Sequence, residues 1–525
     1  MSNFLLSIIT FYLYAILKYR KSYYALQQNS YNQNYHYVKW IFKNPRKTFI
    51  TYEIIFALIA ILIYFLTKKV ILLTLVFYFF SFILELFKIK KEQHKKKFVF
   101  TKRVFRLTMT TLVILGLILT FILINFNEQN IMYYYLILFL FGYLSFIITI
   151  LINFINKPME KIVYLYYKNK AVTKLNNMNN LKVIGITGSY GKTSSKNILN
   201  GILQTSFNCY PSPKSFNTPY GLMNAINNGL DKFDEIFIAE MGAVRKGDIK
   251  VLTDLVHPKY GILTTIGVAH LETFKSEENI INGKFELIES LPSDGVGVLN
   301  MDDPKQVNYK IKNNCKIIWI AIDNKDADYV ATNIKLSGKG TSFDVKINDK
   351  IYNFNTVLLG RHNIYNILAS IALGIELGVN PNKLELAIKT LKPIEHRLEL
   401  KKNGNINIID DAFNSNPVGS KRALEVLSYM DGKKIIVTPG MIELGAKEYE
   451  YNFKFGEYIS EVCDEVILIG EKQTKPIYDG LINKGYDKNK IHILNDVRKA
   501  FPLINELKGE YVLLENDLPD IFSEV

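Results

Sequence analysis

The segment at residues 183–194 constrains the fold more than any other part of the sequence. It reads VIGITGSYGKTS, an apolar run that turns through two glycines into a lysine, a threonine and a serine. Glycines let the backbone N–H groups of such a turn point at phosphate oxygens, and a following helix adds a favourable dipole. A strand, a phosphate loop and a helix in this order are typical of a parallel α/β sheet.

We expect this loop to bind ATP. Lys192 would reach the β- and γ-phosphates, and the hydroxyl of Thr193 would bind Mg²⁺. The loop residues expected to contact the nucleotide are Gly188, Ser189, Gly191, Lys192, Thr193 and Ser194.

The chain from residue 181 onward alternates short β-branched runs with helical stretches, which predicts a parallel α/β sheet. The predicted strands are 182–187, 235–239, 260–264, 296–299 and 316–320, and the helices between them include 193–204 and 279–290. Residues 329–354 alternate polar and apolar side chains, which indicates a small β insertion. A second α/β series follows, with strands at 406–409, 434–438, 465–469, 490–494 and 511–514.

The first 156 residues have a different character, with four or five apolar stretches at about 4–17, 49–67, 70–87, 108–125 and 131–155. A membrane-spanning helix needs about 20 mostly apolar residues. The connections at 18–47 and 88–106 are rich in lysine and arginine, and the positive-inside rule makes both cytoplasmic. These features predict a multi-pass protein of the cell membrane with its remaining domains in the cytoplasm. A signal peptide is the alternative for the first stretch, but a basic start and a small-residue cleavage site are missing.

The net charge of +15 would suggest a nucleic-acid partner if it covered a soluble surface. Much of the excess lies between the apolar stretches instead, so we expect no nucleic acid. The cysteines, Cys209, Cys315 and Cys463, are too widely separated for a disulfide framework or a zinc site. They indicate a reduced compartment.

The shortened loop TGxxGKTS resembles that of the Mur ligases, and further strings follow in the order of that family. They are SFNTPYG at 215–221, IAEMG at 238–242, AHLE at 269–272, NGKFEL at 282–287, LNMDDP at 299–304, GRHNIYN at 360–366, HRLE at 396–399 and DDAFNSNP at 410–417. The branch that adds D-alanyl-D-alanine is the most similar, and it has DDSYNANP at the last position. The resemblance covers the chain from about residue 182 to its end.

The resemblance implies an ATP-dependent ligase that forms an amide bond through an acyl-phosphate, with ATP and Mg²⁺ as cofactors. Glu240 and Thr193 would hold one Mg²⁺, and His270 would help to hold a second. The family's matching lysine is carbamylated, which would make Lys284 an anion near the metals. Lys192, Lys284 and His270 are therefore the expected catalytic residues.

Other residues are expected to bind the nucleotide and the substrates. Asn363 and Asn366 would offer amides to the adenine, although Asn363 could instead cap a helix. Arg397 and Asp411 would contact the phosphate and ribose from the C-terminal domain. The expected substrate residues are Asn217, Thr218, Asn414 and Asn416.

The predicted architecture has three parts: an N-terminal helical membrane domain at 1–156, a phosphate-loop ATPase domain with a parallel sheet at 157–395, and a Rossmann-like C-terminal domain at 396–525. Soluble members of the family carry a domain for a uridine-diphosphate sugar where this chain has apolar stretches. The expected substrates are a nucleotide- or lipid-linked cell-wall precursor and an amino acid or dipeptide.

Three other functions are alternatives. A polyglutamate-type capsule ligase would use the same chemistry, and a nucleotide-binding scaffold would have lost catalysis. A transporter is disfavoured because the apolar stretches show no paired charges.

Overall fold

The apolar run at Lys182–Thr187 forms a strand in the middle of a parallel sheet. The computed structural model describes residues 2–29, 31, 36–67, 70–91, 97–125, 127, 131–413, 415–442 and 444–517. The chain divides into two units, Met1–Leu165 and Tyr166–Leu518. The phosphate loop and all of the strands described below belong to the second unit.

The first unit is helical over its described residues. Its helices, with the helix that follows them, are α1 (Ser2–Gln28), α2 (Val38–Lys43), α3 (Pro45–Thr48), α4 (Tyr52–Thr67), α5 (Val70–Lys91), α6 (Lys102–Ile124), α7 (Ile131–Tyr143), α8 (Ser145–Ile155) and α9 (Lys157–Asn176).

The interior of this unit contains ion pairs and hydrogen bonds among many tyrosines. The Lys18 ammonium lies 2.7 Å from a carboxylate oxygen of Glu53, and both side chains are buried. The Tyr52 hydroxyl donates to Glu85, which is also buried, over 2.9 Å. The inference that the apolar stretches have no paired charges is therefore wrong. The partners lie on different helices, so their pairing could not be recognised along the sequence.

The predicted location in the cell membrane as a multi-pass protein is wrong. Of the described helices, only Lys102–Ile124 is by itself both long and apolar enough to cross a membrane. Tyr133–Tyr143 and Ser145–Ile155 pass the same test only together, and the chain bends by 76° between them. One or two such helices are weak evidence, because a core helix of a soluble protein can pass as well. This finding removes the support for the predicted membrane domain and for the membrane as a binding partner.

The second unit begins with a nine-stranded sheet in the described residues. Its strands are β1 (Lys182–Thr187), β2 (Cys209–Pro211), β3 (Ile236–Glu240), β4 (Tyr260–Leu263), β5 (Val296–Asn300), β6 (Lys316–Ala321), β7 (Tyr329–Ser337), β8 (Gly340–Ile347) and β9 (Lys350–Thr356). Their order is β2-β3-β1-β4-β5-β6-β7-β8-β9. In this order, each pair of neighbouring strands from β2 to β7 is parallel. Strands β7, β8 and β9 pair antiparallel and form the β insertion that the sequence predicted.

Helices connect and cover this sheet. They are α10 (Lys192–Leu203), α11 (Pro219–Asn228), α12 (Asp248–Val256), α13 (Leu271–Phe274), α14 (Glu277–Glu289), α15 (Pro304–Val307), α16 (Arg361–Glu376) and α17 (Pro381–Lys389). Apolar residues of α10 and α16 pack with those of the strands in one buried cluster.

A six-stranded sheet follows. Its strands are β10 (Glu399–Asn403), β11 (Ile406–Asp411), β12 (Lys434–Thr438), β13 (Glu465–Ile469), β14 (Ile491–Leu494) and β15 (Tyr511–Glu515), in the order β10-β11-β15-β12-β13-β14. Its helices are α18 (Pro417–Ser428), α19 (Glu448–Val462), α20 (Glu471–Asn483) and α21 (Ala500–Glu506). Only the edge strand β10 is antiparallel to its neighbour.

The two parallel sheets decide where a site can form. The carboxyl ends of parallel strands meet at one edge of a sheet, and ligands of α/β proteins bind beyond that edge. In the first sheet this edge carries the phosphate loop after β1 and Glu240 at the end of β3. In the second it carries Asp411 at the end of β11 and Glu515 at the end of β15.

Helices α19 and α20 cross at two glycines with almost no space between their backbones. A Cβ added at Gly456 would lie 2.2 Å from the Ile477 carbonyl oxygen, and one at Gly480 would lie 2.1 Å from the Phe453 carbonyl oxygen. Because backbone atoms cannot move aside as a flexible side chain can, this crossing requires glycine.

We expect Gly456→Ala to lower the stability of the protein by about 1–3 kcal/mol, because it forces the two helices apart. Gly374→Ala is the control: Gly374 is also helical, but its nearest neighbour, Ile202 Cγ2, lies 3.3 Å from the added Cβ. The control should be far milder, since alanine also favours the helix. Thermal unfolding of both variants measures the difference, and equal midpoints would contradict the close crossing.

Candidate active site

The phosphate loop is held in place by glycine geometry and by the segment that follows β4. Gly191 has a φ of +83°, a left-handed conformation that favours glycine, and it immediately precedes α10. A Cβ at Gly188 would lie 1.9 Å from the Thr264 hydroxyl oxygen. The Ser189 backbone N–H donates to the Thr265 carbonyl over 2.9 Å, so the loop is fastened to the neighbouring strand end.

Lys192 folds back over this loop. Its ammonium donates to the carbonyl oxygens of Gly188 and Ser189 over 2.8 and 3.1 Å. Burial lowers the pKa of Lys192 to about 8, against an opposing effect of Glu240. A cation held among the loop's own backbone groups is suited to meet the phosphates of a nucleotide.

Glu240 is the centre of a hydrogen-bond network at the end of β3. Its Oε1 accepts from the Thr193 hydroxyl over 3.2 Å and from the Asn217 amide over 3.1 Å. Its Oε2 lies 2.9 Å from the Lys196 ammonium, and both of these side chains are at most 2% exposed. The Lys196 ammonium also donates to the Lys214 carbonyl.

The sequence did not lead us to predict a role for Lys196, although its spacing from Lys192 was a signal. Lys192 and Lys196 are four residues apart, so they lie on the same side of α10 and both reach the end of the sheet. Through Lys196, helix α10 is connected both to β3 and to the loop that carries Asn217. The buried Lys196 side chain therefore holds these parts of the site together.

The donor atoms here fit Mg²⁺ only together with a nucleotide. Mg²⁺ is bound by hard oxygen atoms and commonly takes one or two carboxylates, with phosphates and water completing its shell. The Thr193 hydroxyl and the Glu240 carboxylate are such oxygens and lie in contact. Within the described residues, no group of three or more His, Cys, Asp or Glu side chains could hold a metal ion without further ligands.

A cavity of about 370 Å³ adjoins the phosphate loop. It is lined by Lys192, Asn217, Thr218, His270 and Lys284, among others. Thr218 also accepts from the Gly221 N–H over 3.3 Å and thereby caps α11. Of the expected catalytic and substrate residues, the structure therefore brings these five to one cavity.

Lys284 is unusual in this cavity because its ammonium has no carboxylate within ion-pair distance among the described residues. The side chain is 3% exposed and contacts the Ala243 carbonyl oxygen at 3.4 Å. Burial, and the charge of Lys192 nearby, hold the pKa of Lys284 well below its usual range. The Lys284 ammonium therefore loses its proton more easily than that of an exposed lysine.

Asn363 and Asn366 lie behind the phosphate loop, and both are buried. The Asn366 oxygen accepts from the Ser195 hydroxyl over 2.9 Å, and its amide donates to Asn363 over 3.2 Å. Asn363 in turn donates to the Leu359 carbonyl over 2.8 Å. It does not cap the helix, because α16 begins at Arg361 with Gly360 at the cap position. Asn363 lines a side cavity of about 340 Å³. The contacts of both residues with adenine remain a prediction.

Arg397 connects this side cavity with the main cleft, since it lines both. Its guanidinium lies 4.2 Å from the centre of the Phe413 ring. Asp411 accepts from the Leu398 N–H over 3.2 Å, and burial raises its pKa to about 6 although Arg397 opposes the shift. Asp411 thus supports the turn that carries Arg397, and it does not line the main cleft.

The main cleft lies between loops of the two sheets and has a volume of about 180 Å³. One wall consists of the phosphate loop, Glu240 and His270, and the other of Arg397, Phe413, Ser415 and Asn416. Asn416 lies in that second wall, where its side-chain oxygen accepts from the Gly419 N–H over 2.7 Å and caps α18. The predicted substrate residue Asn414 lies outside the described residues.

Comparisons with known proteins agree with this geometry. A family model described as the Mur ligase middle domain matches residues 186–374, and one described as the Mur ligase glutamate ligase domain matches residues 396–514.

Relatives align over much of the chain. The UDP-N-acetylmuramoyl-tripeptide–D-alanyl-D-alanine ligase of Bacillus subtilis (strain 168) is 30% identical over 340 residues, which are 64% of this chain and 72% of that protein. The protein of the same name from Escherichia coli (strain K12) is 29% identical over 55% of this chain, and the match spans 65% of the relative, just under two thirds. The MurF ligase from Thermotoga maritima in complex with ADP has a TM-score of 0.61 at 27% identity, covering 69% of this chain and 82% of that one.

The buried pair of Lys196 and Glu240 gives a prediction for stability. Lys196→Met should lower the free energy of unfolding by about 3–5 kcal/mol, because it leaves a buried carboxylate without its cation. The double variant Lys196→Met/Glu240→Gln should recover most of this loss, since neither remaining group is charged. Denaturant unfolding measures both variants.

The control for this experiment is Lys250→Met, which removes an exposed ion pair with Asp254 on α12. It should change stability very little. A double variant as unstable as Lys196→Met alone would show that the loss comes from packing and not from the unpaired charge.

Proposed function

The chain belongs to the Mur ligase family, and from this premise we propose that it joins D-alanyl-D-alanine to the peptide of a nucleotide-linked cell-wall precursor. Membership of the family makes the protein an ATP-dependent ligase that forms peptide bonds. The two substrates are the proposed part. Both relatives described above are ligases of D-alanyl-D-alanine and a UDP-N-acetylmuramoyl-tripeptide by name, which supports this choice.

The observation that carries the proposal is the composition of the main cleft. The phosphate loop, Glu240 and His270 face Arg397 and Asn416 across it. A nucleotide bound at the phosphate loop would therefore face residues of the second sheet's domain. The adjoining cavity of Asn217, Thr218 and Lys284 offers room for the acyl substrate beside the phosphates.

The chemistry explains why these groups are needed. A carboxylate does not react with an amine at neutral pH, because its oxygen is a poor leaving group. Transfer of the γ-phosphoryl group of ATP to the carboxylate gives an acyl-phosphate, and the amine then displaces phosphate. Charge builds up on the transferred group, and Lys192 at the loop supplies a cation to stabilise it.

The proposed metal sites follow from the oxygen donors. Thr193 and Glu240 would hold one Mg²⁺, and His270 would hold a second together with Lys284 in its carbamylated form. A bound Mg²⁺ neutralises charge on the β- and γ-phosphates. Lys196 would keep Glu240 in position, and Asn217 would connect the same carboxylate to the acyl-substrate cavity.

For the nucleotide, we place the base in the side cavity that Asn363 and Arg397 line. The phosphates would then lie at Lys192, and Arg397 would be between the two because it lines both cavities. Stacking of its guanidinium on Phe413 fixes the direction in which it points.

The first experiment measures ADP release and amide formation with UDP-N-acetylmuramoyl-tripeptide and D-alanyl-D-alanine. Wild-type protein should release ADP only when both substrates are present. Lys192→Ala should lower the rate by at least about 10²-fold, because the transferring phosphoryl group loses its cation. Its thermal unfolding should remain that of a folded protein.

Two other arms separate the competing functions. ADP release with L-glutamate, but not with D-alanyl-D-alanine, would favour a capsule-type polyglutamate ligase. ADP release in no arm would favour a scaffold without catalysis. A near-normal rate of ADP release by Lys192→Ala would contradict the assignment of the phosphate loop.

The second experiment concerns Lys284, which we propose reacts with CO₂ to form a carbamate. Its neutral amine attacks the carbon of CO₂ and releases a proton, which leaves an anionic carbamate beside Lys192. Lys284→Ala should lose activity and regain part of it with added short carboxylates, which replace that anion. Lys284→Arg should stay inactive, because its charge has the opposite sign.

A measurement independent of activity uses ¹³C-labelled bicarbonate. Wild-type protein should give a carbamate carbon signal that is missing in Lys284→Arg. An arginine variant as active as wild type, or the same carbon signal in both proteins, would show that Lys284 is not modified.

A further inference from the structure

Two carboxyl groups beside the cleft have no part in the chemistry described so far. Asp411 and Glu515 are register neighbours at the carboxyl ends of β11 and β15. Glu515 is fully buried, at 0% exposure. Their register puts both side chains on the same face of the sheet, and each carboxyl affects the pKa of the other. Two adjacent buried carboxyl groups cannot both be ionised, so they share a proton.

The hydrogen bonds of Glu515 leave one of its two oxygens available for that proton. Its Oε1 accepts from the Ser415 hydroxyl over 2.6 Å. Its Oε2 is buried and has no other hydrogen-bond partner in the described part of the chain. A proton held between Oε2 and Asp411 satisfies this atom. Burial raises the pKa of Glu515 well above its usual range, in agreement with a protonated group.

Ser415 connects this pair with the cleft. It lines the cleft beside Phe413 and Asn416. Its backbone N–H donates to Asn516 over 3.2 Å, which holds the serine against β15.

We propose that Ser415, Glu515 and Asp411 form a relay that accepts a proton from the incoming ammonium group. The inference rests on the proposed function, because it needs an amine to attack in this cleft. An ammonium group has no lone pair and must lose a proton before it can attack the acyl-phosphate.

Each proton moves by one hydrogen bond. The ammonium gives a proton to Ser415 Oγ, the serine hydroxyl gives its own to Glu515 Oε1, and the shared proton passes from Glu515 to Asp411. The amine lone pair then forms the C–N bond. The bond between the acyl carbon and the phosphate oxygen breaks, its electron pair leaves with phosphate, and phosphate takes the second amine proton. After product release each proton moves back by the same hydrogen bonds, and Ser415 Oγ, which lines the cleft, gives one proton to water.

The charges around Asp411 suit a final acceptor. Burial and Asp410 raise the pKa of Asp411, whereas Arg397 and the Leu398 N–H oppose this rise, so both the protonated and the ionised form have favourable neighbours. Asp410 is itself paired with His396 at 2.8 Å and with Lys401 at 2.7 Å. The relay therefore ends at a carboxylate that is stabilised but not locked in one state.

The test uses hydroxylamine, a nucleophile that is largely unprotonated at neutral pH and needs no base. Protein, ATP and UDP-N-acetylmuramoyl-tripeptide are given either D-alanyl-D-alanine or hydroxylamine, and amide or hydroxamate is measured. Ser415→Ala should lower kcat for amide formation by about 10²-fold. Hydroxamate formation and the KM for ATP should stay near the wild-type values. Ser415→Thr, which keeps a hydroxyl, should retain most of the amide-forming activity.

Glu515→Gln is the second variant, because glutamine keeps the size of the side chain but cannot pass a proton. It should show the same selective loss, and its thermal midpoint should not fall, since the new amide can donate to Asp411. Equal loss of amide and hydroxamate in Ser415→Ala would overturn the relay in favour of a role in shaping the loop. Full activity of Ser415→Ala would also overturn it. If wild-type protein forms neither product, the proposed function fails and the relay fails with it.

Discussion

Glu240 brings a negative charge into the interior at the end of β3, and the loops of the middle domain are arranged around that charge. Lys196 balances it from α10, while Thr193 and Asn217 donate to its other oxygen. A buried carboxylate without such partners would cost several kcal/mol. The same contacts that satisfy the charge bring together the phosphate loop, a strand end and the loop before α11. Stability and the geometry of the candidate metal site therefore depend on one network.

The second domain solves a related problem in a different way. Asp411 and Glu515 also lie at the ends of neighbouring parallel strands, but they share a proton and have no lysine between them. Parallel strands necessarily bring their carboxyl ends to one edge, so acidic residues at those ends become neighbours whatever their distance in the sequence. In one sheet the result is a carboxylate paired with a lysine, and in the other a carboxyl pair able to move a proton.

Much of the fold from residue 182 onward could be predicted, because buried parallel strands are short β-branched runs between helices. Lys182–Thr187 and Lys434–Thr438 were predicted with their observed bounds. Cys209–Pro211 was missed because three residues carry no pattern, and Glu399–Asn403 because this edge strand is mostly polar. The N-terminal prediction failed because apolar stretches alone do not show length, bending or partners, as the 76° bend and the pair of Lys18 and Glu53 demonstrate.

The sequence by itself determined the local features: the phosphate loop, the order of strands and helices, and which residue types stand at the strand ends. These depend on neighbours within a few residues, where glycine, β-branched side chains and motif spacing act directly. Only the tertiary structure decided which distant charges meet. Lys196 and Glu240 are 44 residues apart, and Ser415 and Glu515 are 100 apart. Their pairing is set by how the strands order themselves in each sheet, and burial then makes the interactions between them stronger than they would be in water.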